Sequence, residues 1–220
     1  RESQPIEDPF TRVYSPELLF IEEDVEIKAA IIDAESGPVY LGKGARVMEG
    51  AIIKGPFAMG AHSQLSPGAK IRGNTTLGPH CKVGGEVSSS VIMGYSNKGH
   101  DGFLGNSVLG HWCNLGADTN TSNLKNNYTE VRAFSYAEKN MVDTGEQFCG
   151  LIMGDHSKCG INTMFNTGTV VGVGANIYGG GFPPKHIPSF AWGGADGFET
   201  YQFDKAMATA RSVTSTARAL

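Results

Sequence analysis

The residues able to do chemistry gather in one stretch, Lys98 to Asn123, which holds His100, His111, Asn114 and Asn123. His100 sits between Gly99 and Asp101. An imidazole with an ordinary pKa of about 6.5 can take a proton from an ammonium group at neutral pH, provided a partner holds the ring and its tautomer. Other chemistries fit less well. The six histidines (62, 80, 100, 111, 156 and 186) offer no close pair of the kind a three-histidine zinc site needs. The four cysteines (Cys81, Cys113, Cys149, Cys159) form no Cys-x-x-Cys pair, so reduced thiols are expected, and no metal. Two readings stay open: His111 fits an exposed turn as well as a cleft wall, and Asn114 fits a turn residue, since Asn tolerates left-handed backbone.

The elements that must position these residues are written in a repeat. Leu41, Val47, Ile53, Met59, Leu65, Ile71, Leu77 and Val83 are eight aliphatic marks spaced by six. Two residues before most of them stands a small residue: Ala45, Ala51, Ser63, Ala69, Thr75 and Cys81. A six-residue unit reads as one short strand plus one corner, and three units make a triangular coil with the aliphatic residue pointing inward. The spacing returns at Met153, Cys159, Phe165, Val171 and Ile177, with Ser157, Thr163, Thr169 and Ala175 in the small position. The predicted fold is all-β, a parallel β-helix of hexapeptide repeats.

Between the two runs, residues 84–151 break the period. An insertion is expected around Gly84-Gly85, and a long polar loop over 119–150. The expected organisation is an N-terminal linker or arm over 1–20, the β-helix over 21–190 and a helical tail over 191–220. Phe203, Met207, Ala210 and Val213 at helical spacing carry the last of these, after a break at Gly193-Gly194.

Composition sets outer limits. The chain has 220 residues, 40% apolar and 18% charged, with 30 glycines and a net charge of −4, which offers no clustered basic surface for nucleic acid. No run of 18 or more apolar residues occurs, and the first twenty residues are too polar for a signal peptide. A cytoplasmic protein with no membrane partner is expected. The start at Arg1 instead of Met suggests a fragment or a processed start, with room for an upstream domain.

The motifs resemble a known family. Gly99-His100-Asp-Gly-Phe103-Leu-Gly105, then Asn114-Leu-Gly116-Ala117 and Asn123, is similar to the pattern of the C-terminal acetyltransferase domain of bifunctional N-acetylglucosamine-1-phosphate uridyltransferase/glucosamine-1-phosphate N-acetyltransferases. The resemblance covers most of Val39 to Gly181. It implies left-handed winding, a homotrimer, acetyl-CoA as co-substrate and an amino sugar 1-phosphate as acceptor, within UDP-N-acetylglucosamine biosynthesis. Carried over position by position, His100 is the base, Glu86 the carboxylate that orients it, and Phe103, Asn114 and Asn123 meet the substrate. The tetrahedral intermediate needs a donor for its oxygen, for which a backbone N–H or the Asn123 amide are candidates. Ala117, Asn123, Leu124, Ile161 and Gly179 fall where the family lines its acetyl-CoA groove, and Lys185 where relatives place a cation near the nucleotide phosphates.

The chain departs from the pattern at the acceptor site. Phe103 replaces a tyrosine and Ser88 replaces a lysine that would meet the sugar phosphate, so Arg72, Lys82 and Lys98 are the replacement donors expected there. No glycine-rich nucleotide-binding segment followed by Arg or Lys is present. These departures leave an alternative, a non-catalytic β-helix serving as assembly or regulatory domain of a sugar nucleotidyltransferase.

Overall fold

The computed structural model describes residues 3–218, with side chains to 215; positions 1–2 of the expected arm and 219–220 of the expected tail lie outside the described residues. The chain divides into two compact units, 1–102 and 103–220.

The first unit is a parallel β-solenoid with three faces. One face stacks Arg12–Tyr14, Ile31–Asp33, Ile52–Lys54, Lys70–Arg72 and Glu86–Ser88. The second stacks Leu19–Ile21, Val39–Leu41, Phe57–Met59, Thr75–Leu77 and Val91–Ile92. The third stacks Glu26–Ile27, Arg46–Val47, Gln64–Leu65, Lys82–Val83 and Asn97–Lys98. Every aliphatic mark from Leu41 to Val83 is buried, at 2% exposure or less, and so is every small residue of the set. The six-residue spacing therefore records an inward column of side chains, as the sequence predicts. Residues 3–4 close the open edge of the first coil: Gln4 N–H donates to Ile21 O at 3.0 Å, and the Ser3 hydroxyl accepts from Ile21 N–H at 2.8 Å. Strand structure thus begins inside the stretch read as an arm.

The break at Gly84-Gly85 is a contraction and not the expected insertion. Regular coils pair residues 18 apart, as in Ile52 with Lys70, Phe57 with Thr75 and Gln64 with Lys82. The next coil pairs Lys70 with Glu86, Thr76 with Val91 and Lys82 with Asn97, which are steps of 16, 15 and 15. The chain cuts the corners short, and the glycines permit it. A Cβ on Gly84 would lie 2.4 Å from Gly99 O, and Gly85 adopts φ +67°.

The second unit repeats the design. Val108–Leu109, Leu151–Met153, Thr169–Val171 and His186–Ile187 share a face, as do Asn114–Leu115, Lys158–Cys159, Asn176–Ile177 and Ala191–Gly194. Residues 119–121, expected to be loop, are solenoid: Asn120–Thr121 pairs in parallel with Met164–Phe165. The excursion itself is an ordered antiparallel hairpin, Arg132–Ser135 with Asn140–Asp143, whose Phe134 ring stacks on His186 with centroids 3.5 Å apart. The tail is only partly helical. Ala191–Gly194 turns back on Gly197–Thr200 before the helix Phe203–Arg218 begins, and Ala206 is the buried residue of that helix.

All four cysteines are free, and burial pushes the Cys81 thiol up to about 11 and that of Cys113 up to about 12. Among the described residues no helix is long and apolar enough to cross a membrane, and no group of three or more His, Cys, Asp or Glu could hold a metal ion.

A packing column of this kind has a measurable weight. Leu65→Ala should cost about 2–5 kcal/mol of unfolding free energy in a denaturant titration. The same change at Ile161, which is 69% exposed, should cost no more than about 0.5 kcal/mol.

Candidate functional site

In the first unit, the shortened coil ends in the turn that carries His100. The imidazole is exposed, and among the described residues its ring makes no hydrogen bond. The backbone beneath it is tied down. Gly99 O accepts from the Ser66 hydroxyl at 3.0 Å, His100 O accepts from the Lys98 ammonium at 2.8 Å, and Gly102 O accepts from Glu86 N–H at 3.1 Å.

Two sequence expectations are corrected here. The Glu86 carboxylate is engaged by Arg72, Nη1 to Oε1 at 3.1 Å, and among the described residues no hydrogen bond joins it to His100. The pairing follows from the register: Lys70 stands opposite Glu86 on the same face, which puts Arg72 two residues along on the neighbouring strand. Lys98 is not a solvent-facing phosphate donor. It occupies the inward column opposite Val83, is 2% exposed, and also donates to Gly84 O at 2.9 Å. Lys82 remains exposed, and Ser88 is half-buried with its carbonyl accepting from the Ser90 hydroxyl at 2.7 Å.

In the second unit, Phe103, Asn114 and Asn123 are all half-buried. Phe103 N–H donates to Asn120 Oδ1 at 2.9 Å, and the ring covers Gly105, where a Cβ would lie 2.5 Å from Phe103 Cζ. The Asn123 side-chain amide donates to Asn106 Oδ1 at 2.7 Å, and the Asn123 backbone carbonyl accepts from Cys149 N–H at 2.9 Å. Asn114 lies in register with Lys158, whose ammonium is held below the ordinary lysine range by burial. Of the positions assigned to a cofactor groove, Ala117 O accepts from Asn162 N–H, Leu124 bridges to Phe148, and Ile161 and Gly179 are exposed. Lys185 donates to the Thr167 hydroxyl at 3.2 Å, and its pKa is lowered by burial first and by the neighbouring Lys125 charge second.

Sequence reasoning missed Lys158 beside Asn114 and the pair His111–Asp155, in which Asp155 Oδ1 accepts from His111 N–H at 2.8 Å and stands 3.8 Å from Nδ1. Both juxtapositions span a step of 44 residues, Asn114 to Lys158, across the hairpin. No six-residue pattern reveals a step of that length.

A bifunctional sugar-1-phosphate nucleotidylyltransferase/acetyltransferase of Sulfurisphaera tokodaii is 33% identical over 170 residues, 76% of this chain and 40% of that protein. A protein of Methanocaldococcus jannaschii, bifunctional protein GlmU, is 34% identical over 87 residues, 40% of this chain and 21% of its own length. The resemblance read in the sequence holds: this chain is a homologue of those bifunctional proteins. It spans less than half the length of either. No family model matches. Among solved structures, the polySia specific acetyltransferase NeuO is 15% identical with a TM-score of 0.46, over 87% of this chain and 82% of its own.

Histidine burial gives this homologue a pH signature. His80, His156 and His186 are each held below the ordinary imidazole range, with burial as the largest cause; His62 adds to it at His80, and the Lys158 charge at His156. Each takes up a proton more readily unfolded than folded. Stability is therefore complete above the unfolded imidazole value of about 6.5 and declines as pH falls through it towards the folded values. Thermal melts should show the midpoint dropping between about pH 7 and pH 5, and His186→Phe, which keeps a ring against Phe134, should make that drop shallower. A midpoint unchanged across this range would contradict the assignment.

Proposed function

We propose that this chain transfers the acetyl group of acetyl-CoA to the amine of an amino sugar 1-phosphate, most simply glucosamine 1-phosphate. The observation that carries the reading is the exposed His100 imidazole, borne on a backbone turn whose carbonyls at 99, 100 and 102 each accept a hydrogen bond. A base must meet the substrate's proton at a fixed place, and a held backbone under a free ring meets that need. The relatives' names, with acetyltransferase in one of them, support the same chemistry.

In this reading the amine nitrogen forms its bond to the thioester carbonyl carbon and gives its proton to His100. The carbon–sulfur bond then breaks, and the proton passes to the leaving thiolate. The oxygen of the tetrahedral intermediate takes a hydrogen bond from a backbone N–H or from the second N–H of the Asn123 amide. With Lys98 turned inward, Arg72 and Lys82 are the exposed cations for the sugar phosphate on the first unit, and Lys185 serves the nucleotide phosphates of the co-substrate. In this reading the chain works as a cytoplasmic homotrimer, and the name of one relative supports a nucleotidylyltransferase domain beside it.

One observation favours the non-catalytic alternative, the engagement of Glu86 by Arg72, which leaves the His100 ring without its expected orienter. A single assay separates the two. With acetyl-CoA and glucosamine or galactosamine 1-phosphate, thiol release by the wild-type protein should fall about 10²–10⁴-fold in His100→Ala; a scaffold would give no His100-dependent rate. Sedimentation should show a trimer, and a monomer alone would remove that part of the proposal.

A further inference from the structure

A buried lysine in an aliphatic column needs a physical reason. Ile27, Val47, Leu65, Val83 and Lys98 succeed one another in register up the third face of the first unit. Val47, Leu65 and Val83 are at most 1% exposed and Lys98 is 2% exposed. An aliphatic side chain would fill that position without cost, whereas an ammonium taken out of water is costly unless it is fully bonded. Its bonds go to Gly84 O at 2.9 Å and His100 O at 2.8 Å.

Those two carbonyls are where the coil is contracted. Gly84 and Gly85 press against the turn so closely that a Cβ on Gly85 would sit 2.8 Å from His100 O. On the neighbouring strand Glu86 N–H serves Gly102 O, whereas the donor to His100 O is the Lys98 ammonium. Gly84 N–H is already committed to Lys98 O at 2.7 Å. The donor comes from a side chain, and from the column position two residues before His100 a long cation reaches both carbonyls.

We propose that Lys98 is a positioning residue, an interior ammonium that clamps the carbonyls of Gly84 and His100 and so fixes the turn presenting the His100 imidazole. This rests on the reading of His100 as the base. Because the ring makes no hydrogen bond of its own among the described residues, its location is set by the backbone that Lys98 and Ser66 hold.

The test compares Lys98→Met, an apolar side chain of similar length, with Lys98→Gln, which keeps two N–H donors on a slightly shorter arm. In the full chain with acetyl-CoA and glucosamine 1-phosphate, Lys98→Met should lower kcat at least tenfold while KM for both substrates changes less than twofold. Lys98→Gln should recover part of that loss. In protein labelled on its histidine rings, the His100 resonances should be a single sharp set in the wild type and in Lys98→Gln, and doubled or broadened in Lys98→Met, with those of His62 unchanged. The ring signal needs no turnover, so it is read even if the acceptor is wrong, and Lys98→Gln is read even if Lys98→Met fails to fold. Wild-type kcat and a sharp His100 set in Lys98→Met, or a broadened His100 set in a folded Lys98→Gln, would overturn the positioning role. An active His100→Ala protein would instead overturn the reading of His100 and leave the ring signal to decide the clamp.

Discussion

A coil of three short strands closes a few backbone bonds at its own corners, such as Ala45 N–H on Gly42 O, and pairs its strand N–H and C=O groups with the coil above and the coil below. Buried backbone groups left unpaired are costly, so every coil in a stack must keep register with its neighbours. The inward aliphatic column enforces that register, because a slip of one residue would turn each mark outward. Stiffness, position and irregularity all follow from this constraint. Where the stack is regular, strands pair at a step of 18, and where the chain departs from that step the displaced backbone groups must find other partners.

The contraction after Val83 is such a departure. It brings Gly84-Gly85 against the turn 99–102, where the Ser66 hydroxyl donates to Gly99 O, the Lys98 ammonium to His100 O and Glu86 N–H to Gly102 O. The hairpin of the second unit is the opposite departure, an excursion that returns to register at Leu151–Met153 and seats Phe134 on His186. One shortens the coil to tighten a turn. The other lengthens it and lays a flap of aromatic side chains on the face.

The column was legible because its marks are apolar and evenly spaced: Leu41 to Val83 and Met153 to Ile177 could be read directly, and all are buried. The middle was not, for physical reasons. Val87, Ile92 and Lys98 continue the inward column of the first unit, but at steps of five and six and with a lysine among them, so hydrophobic spacing alone reads as a break and does not say whether residues were added or removed. Lys98 looked like a surface cation because lysines usually are; its burial depends on two carbonyls that only the contracted coil exposes. Glu86 was read from the family pattern as the partner of His100, yet Arg72 claims it, since side chains two residues apart on neighbouring strands meet across the face. The step of 44 that brings Lys158 beside Asn114 was hidden by the hairpin.

The account comes down to a held turn presenting a free imidazole to a thioester. Determining the crystal structure with coenzyme A bound tests it most directly. The account predicts the pantetheine sulfur beside the His100 ring, close enough for a proton to pass directly or through one water. Coenzyme A bound with its sulfur beyond such reach of His100, in every copy of the assembly, would contradict it.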